Sequence, residues 1–416
     1  ASIRENNKGY LGSPVDFYTR YTYEYADRVS MGITAEKDDG EEFFRGSQSQ
    51  GYDFYSGHIF LQDTGNLKSL ALGDYEAQFG QGLVLSSGLS LGKNPQVLGL
   101  SKNADGLDAY TSSNENNYFR GGGATYKIGK TKISGFYSNK LMDANLSATD
   151  TTRNSEAITS IKSSGMHRTF RELADKNAFR QQVAGTYIHR AFGNFNLGAT
   201  GLFVKNEKQL LISDQLYDKF AWDGKEALNA AIDYEWLFKD FYFFGEMGYS
   251  HTGAIANIHG TMLSLPSGFK LGAIYRNYPR NYVAPYANAF RESGQVQNEE
   301  GFFLTLQMTP FENWQVNTYF DHYRFPWLQY QTDKPSGGYE YLANITYDPG
   351  PFEMYWRVKG KREAKNLSNK ETITSKTGQY HQWHFRWNVS FDAGQYWSFQ
   401  TRLANSYYQM ERQAPY

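Results

Sequence analysis

"QYHQWHFRWNVSFDAG" (379–394) alternates with a period of two. Trp383, Phe385, Trp387, Val389 and Phe391 share one parity, and His384, Arg386, Asn388, Ser390 and Asp392 share the other. Residues i and i+2 of a strand lie on one face, so this segment reads as a β-strand between two unlike surroundings. The pattern recurs upstream. Leu228, Ala230, Ile232, Tyr234 and Trp236 oppose Asn229, Asp233 and Glu235, and Phe352, Met354, Trp356 and Val358 oppose Glu353, Arg357, Lys359 and Lys361. One face of each strand suits hydrocarbon and headgroups, the other water or polar protein.

Composition points the same way. Among 416 residues are 33 Tyr, 29 Phe and 8 Trp, yet mean hydropathy is −0.65. Many rings in a polar chain fit a protein that needs aromatics at membrane–water interfaces. No stretch reads as a transmembrane helix; even 77–92 is broken by Gln, Ser and Gly. Lys+Arg (42) nearly balance Asp+Glu (43), which gives no reason to expect a nucleic-acid partner. With no cysteine, disulfides, thiolate metal sites and cysteine nucleophiles are excluded.

The spacing predicts about eighteen strands, most longer than the ~5–6 residues usual in globular proteins. They form hairpins with tight turns at "ADR", "TGN", "GKT", "GN", Lys239-Asp240, "PSG", "FEN", "PGP" and "AGQ". Long polar connections alternate with them, over 39–51, 80–116, 147–177, 209–225, 283–298, 329–337 and 367–379, with only Thr252-Gly253 short. Short turns at one end and long loops at the other define an up-and-down antiparallel transmembrane β-barrel of the bacterial outer membrane. The expected organisation is one all-β barrel domain over 1–416. If the short turns face the periplasm, the first and last strands both have their free ends at the outer mouth. The expectation is therefore a barrel with further strands beyond those in this chain.

Several segments carry a family resemblance: "YLGSPVDFYTRYTY" (10–23), "TAEKDDGEEF" (34–43), "GDYEAQFGQGLVLSSGLSLGK" (73–93), "SGMHRTFRE" (164–172) and "FDHYRFPWLQY" (320–330). Together they resemble the barrel region of Bacteroidota outer-membrane proteins described as helix–hairpin–helix-domain-containing, or competence-protein-like. The helix–hairpin–helix module itself is not seen in this chain, so the resemblance implies fold and location but not DNA binding.

Candidate functional positions follow from face assignment. The polar parity places Asp16, Arg20, Glu24, Asp74, Glu76, Asp233, Glu235, Glu246, Arg276, Asp321, Glu353, Arg357, Lys359, Arg386 and Arg402 in the lumen. Their mixed signs suit either a pore for neutral solutes or a salt-bridged filling. Trp236, Phe352, Trp356, Trp383, Phe385 and Trp387 are expected to face lipid. The loop over 80–116 begins with an apolar, nearly uncharged run, "GQGLVLSSGLSLGKNPQVLGL" (80–100). It reads as a constriction or plug, with Gln81, Leu83, Leu85 and Leu89 as its contacts, or else as a strand continuing above the membrane. "RNYPRNYVAPYANAF" (276–290) and "YRFPWLQY" (323–330) read as aromatic girdle. The acidic run "EKDDGEEFFRG" (36–46) reads as a solvated loop, lacking the ligand spacing of a calcium loop.

No GxSxG, HExxH or P-loop occurs, and neighbours Asp321 and His322 point to opposite strand faces, so an enzyme is not expected. No cofactor or metal is expected. The expected function is a porin-like channel for small polar solutes or oligosaccharides. The alternative is a non-conducting barrel in an outer-membrane secretion, assembly or uptake complex. Expected partners are outer-membrane lipid and lipopolysaccharide, with other outer-membrane or periplasmic proteins under the second reading.

Overall fold

The computed structural model describes residues 9–88, 92–102, 106–147, 156–266, 268–367 and 377–411. Alternation converts directly into strands. The first four are β1 (Phe17–Tyr25), β2 (Val29–Lys37), β3 (Phe54–Thr64) and β4 (Leu67–Gln78). After the short β5 (Gly106–Ala109) come β6 (Phe119–Ile128) and β7 (Thr131–Met142). A loop holding β8 (Ala144–Leu146), β9 (Ile158–Ile161) and helix α1 (Phe170–Ala174) leads to β10 (Phe179–Phe192) and β11 (Phe195–Leu210). The next five are β12 (Gly224–Phe238), β13 (Phe241–Ser250), β14 (Ile255–Ser264), β15 (Lys270–Tyr278) and β16 (Glu299–Met308). The wall ends with β17 (Trp314–Phe325), β18 (Ser336–Tyr347), β19 (Phe352–Asn366), β20 (Thr377–Ala393) and β21 (Trp397–Glu411).

Setting aside β5, β8 and β9, which decorate loops, eighteen strands form one antiparallel wall, each paired with its neighbour in the chain. The tight turns sit where the sequence places them. Several use left-handed backbone, at Ala26, Asp27, Gly65, Gly129, Gly193, Lys239, Asn313 and Gly394, as two-residue hairpins with right-handed twist require.

Outer and inner faces separate cleanly over most of the wall. In β12 the exposed side chains are Leu228, Ile232 and Trp236, while Ala227, Asn229, Ala231 and Asp233 are buried. Around the outside, Met247, Tyr249, Tyr275, Phe302, Leu304, Phe320 and Phe385 are exposed as well, a band that only a bilayer can cover. At the short-turn end this band gains an aromatic belt, where Trp314 packs on Tyr347 and Trp356, and Trp236 on Phe238 and Phe243.

Two features were not legible in the alternation. Inside the barrel wall, β6 and β11 carry apolar or small residues (Phe119, Gly121, Gly123; Leu202, Val204), because an apolar plug rather than water lies against them. And β1 and β21 each pair on one side only; among the described residues no hydrogen-bonded register joins them, and every residue of both is exposed.

Candidate functional site

The interior is occupied by two loops folded in from the long-loop end. The first leaves β4 and doubles back on it. Phe79 N–H donates to the Leu85 carbonyl (3.1 Å), Ser87 N–H to the Ala77 carbonyl (3.1 Å), and Ala77 N–H to Ser87 Oγ (2.9 Å). Gln81 ties the loop to itself: its amide donates to Ser101 Oγ (3.3 Å) and its Oε1 accepts from Lys102 N–H (3.0 Å). Gln81, Leu83 and Leu85 are buried, whereas Leu89 lies outside the described residues. Residues 79–88 thus fold back onto the inner side of β4, with Val84 and Leu85 in the apolar cluster there.

Glu246 on β13 is the anchor. Fully buried, its Oε2 accepts from Gln81 N–H (2.6 Å) and Leu83 N–H (3.0 Å). Without it both N–H groups would be buried with no acceptor, at about 1–3 kcal/mol each. Room for this approach comes from glycine: a Cβ on Gly248 would lie 2.5 Å from the Tyr282 hydroxyl, and one on Gly272 2.2 Å from Leu100 Cδ1.

The second loop, 279–298, interlocks with the first. Asn288 N–H donates to the Gly82 carbonyl (2.8 Å), Ser86 N–H to the Tyr286 carbonyl (3.0 Å), and the Tyr282 hydroxyl to the Leu83 carbonyl (2.9 Å). This corrects the girdle reading of 276–290: Tyr278 and Tyr282 are buried in a lumenal cluster with Leu83, Phe244, Ile274 and Phe303. Trp327 likewise is no headgroup anchor. It packs edge-on against Phe220, and its indole N–H donates to the Leu216 carbonyl (2.9 Å). The signal that would have found the second plug is the one that found the first, an Ala- and Tyr-rich stretch without acids between 281 and 290.

An ion network closes the far side. Lys93, from the first loop, contacts Asp321 (2.6 Å), Glu292 and Glu340 (3.7 Å). Arg276 pairs with Glu299 (2.5 Å) and Asp321 (2.8 Å), all three fully buried. Lys361 reaches Glu292 (2.7 Å), and Lys359 reaches Glu340 (3.2 Å).

The remaining lumen candidates are placed as follows. Asp233 is buried and accepts from the Tyr187 hydroxyl (3.0 Å); Glu235 accepts from Asn196 (3.0 Å). Asp74 departs from expectation. Its neighbour Tyr75 takes the interior apolar cluster, and Asp74 is held by Arg120 Nε (2.7 Å) and Gly57 N–H (2.8 Å). Glu76 shares that parity and lies beside Gly88. Asp16, Arg20 and Glu24 lie on the exposed first edge, Arg20 reaching the Thr111 carbonyl. Glu353, on the inner parity of β19, is exposed. Arg357, Arg386 and Arg402 share the inner parity of β19–β21. Of the residues assigned to lipid, Trp236, Trp356 and Phe385 are exposed, and Phe352, Trp383 and Trp387 are half-buried on the same outer parity.

One constellation escaped sequence reasoning. His167, buried in the loop before α1, donates from Nδ1 to Asp53 Oδ2 (2.6 Å) and from Nε2 to Asp143 Oδ2 (2.8 Å), while its N–H donates to Glu41 Oε1 (2.7 Å). Lys176 adds a contact to Asp53 (2.6 Å). The acidic run 36–46 is therefore not simply solvated, since Glu41 is buried here. Burial alone would lower the imidazole; hydrogen bonds to Asp143 and Asp53, with their charges, raise it to about 10. Burial, then the charge of Asp53, pushes Glu41 up to about 7 and Glu115 up to about 8. Glu41, Asp53 and His167, or Glu115, Asp143 and His167, bring ligand atoms within 4.8 Å, a spacing that suits a cation. With both imidazole nitrogens committed as donors, the cluster as it stands is an imidazolium staple joining two long loops, the one between β2 and β3 and the one between β7 and β10.

No family model matches the chain, and no curated protein matches it. Solved structures with similar architecture include Pseudomonas aeruginosa OccK9 (OpdG), at 11% identity over 98% of this chain and 95% of that one, TM-score 0.39. A BenF-like porin from Pseudomonas fluorescens Pf-5 aligns at 9% identity over 95% and 96%, TM-score 0.35. OmpT of Vibrio cholerae aligns at 9% over 94% and 88%, TM-score 0.30. Long antiparallel strands, an outward apolar band with its aromatic belt, and alternating turn lengths define this chain as an integral outer-membrane β-barrel protein.

Proposed function

We propose that the protein is a transport channel for small polar solutes or oligosaccharides, narrowed by its two inward loops. One observation carries this reading. The inner face is buried from β2 through β18, at Thr34, Ser56, Glu246, Arg276, Asp321 and Glu340 among others, whereas β21 and β1, each paired on one side only, are exposed on both faces. Walls of about 16–18 strands enclose an aqueous channel unless something fills it. Here the filling covers most of the interior and leaves a polar strip. The test is single-channel recording of the purified protein in planar bilayers. Discrete conductance steps that grow on deletion of 82–98 support the channel, and silence from both forms would sink it.

The unpaired outer edges of β1 and β21 favour a second reading, a non-conducting barrel subunit of a larger complex. Unsatisfied strand edges in hydrocarbon are costly, so under this reading a partner covers the seam. A stoichiometric partner in a mild-detergent pull-down from native membranes would decide for this reading. Neither reading calls on catalysis, and His167 and the carboxylates that hold it are committed to one another.

A further inference from the structure

The interior ion network accounts for Lys93, Arg276, Lys359 and Lys361, each beside a carboxylate. It does not account for Arg357, Arg386 and Arg402. Arg357 and Arg386 stand directly opposite each other in the β19–β20 register, on the inner parity. Arg402 stands opposite Asn388, one inner position further along. Like charges directly opposite across a strand pair destabilise the sheet, and such a pair is normally relieved by an interleaved acid. Among the described residues none of the three guanidiniums has a carboxylate within ion-pair distance. Arg357 Nε donates to Asn344 Oδ1 (3.1 Å) and Arg402 Nε to Asn388 Oδ1 (3.3 Å), neutral acceptors that orient the forks without neutralising them. Gln400 also donates to Asn388 Oδ1 (3.3 Å), completing a polar strip across the inner parity of β19–β21.

We propose that Arg357, Arg386 and Arg402 form an oxyanion subsite on the lumen wall, which takes the carboxylate or phosphate group of a solute in transit. Planar forks with several N–H donors match both groups in bidentate fashion, and bound oxyanion removes the repulsion of the opposed pair. The subsite rests on the channel reading for its role in transit, but its occupancy needs no conduction and is tested separately. Equilibrium dialysis of the detergent-solubilised protein against radiolabelled inorganic phosphate, and separately against acetate, reads binding directly. Saturable binding of either anion, weakened at least tenfold in Arg386→Gln and in Arg357→Gln, supports the subsite. Tighter phosphate than acetate assigns the phosphoryl source, and the reverse assigns the carboxylate. No saturable binding of either, or equal binding in wild type and both variants, overturns it. Thermal unfolding gives a second readout: phosphate should raise the melting temperature of wild type, and Arg386→Gln should raise it without phosphate. A melting temperature unmoved by both changes also overturns the subsite.

Discussion

Glu246 decides whether the plug stays folded in. Replaced by alanine, it would leave the Gln81 and Leu83 N–H groups buried without an acceptor, at about 1–3 kcal/mol each. Glutamine keeps a carbonyl acceptor at the same reach. Glu246→Ala is therefore expected to expose loop 79–102 to protease, and Glu246→Gln to leave cleavage at the wild-type level. Equal cleavage of the two variants would contradict the anchor role. Lys93 is the other residue with leverage. Lys93→Ala removes a cation shared by Asp321, Glu292 and Glu340, leaving Arg276 on Asp321 and Lys361 on Glu292, and should cost about 1–3 kcal/mol. A lowered urea midpoint in detergent, at unchanged slope, is the expected reading.

At the level of strands and loops, the sequence was most informative where a side chain met bulk lipid or a tight turn. Strand β20 repeats the alternation of 379–394, with Phe385 exposed outward and Asn388 buried inward. Nitroxides at 385 and 386 should accordingly report oxygen-rich hydrocarbon and aqueous surroundings respectively, and identical accessibilities would break the register. Legibility failed where protein replaced water inside the wall. Leu202 and Val204 face Leu85 and Val84 rather than solvent, so apolar residues appear on both parities of β11. It failed also for the loops, because Glu41 and Asp53 each lie more than a hundred residues from the His167 they hold. That staple has a pH signature. His167, Glu41 and Glu115 all titrate higher folded than unfolded, so the folded loops bind more protons and lose stability as pH rises. The two glutamates' contribution fades from their unfolded value of about 4.3 up through their folded values. That of His167 is whole below about 6.5 and is lost on passing its folded value of about 10. A nitroxide at Ser164 should be immobile at pH 5 and progressively freer toward pH 10. His167→Gln should abolish the part of that response above pH 8, and a response unchanged by the substitution would count against the staple.

The molecule as a whole is a wall of eighteen strands with an interior in two unequal parts. One part is packed like a soluble core by loops 79–102 and 279–298, and the other is a polar strip along β19–β21 and β1. The wall was legible from periodicity alone, since each strand reports its own two solvents. The first plug was legible as an uncharged loop. The second was not, because its tyrosines looked the same as interface tyrosines until their partners were known. The most direct test of this account is single-channel current through the purified protein and through its 82–98 deletion, in the same planar bilayer. A restricted channel predicts small discrete steps in wild type and distinctly larger ones in the deletion. Silence from both would contradict it.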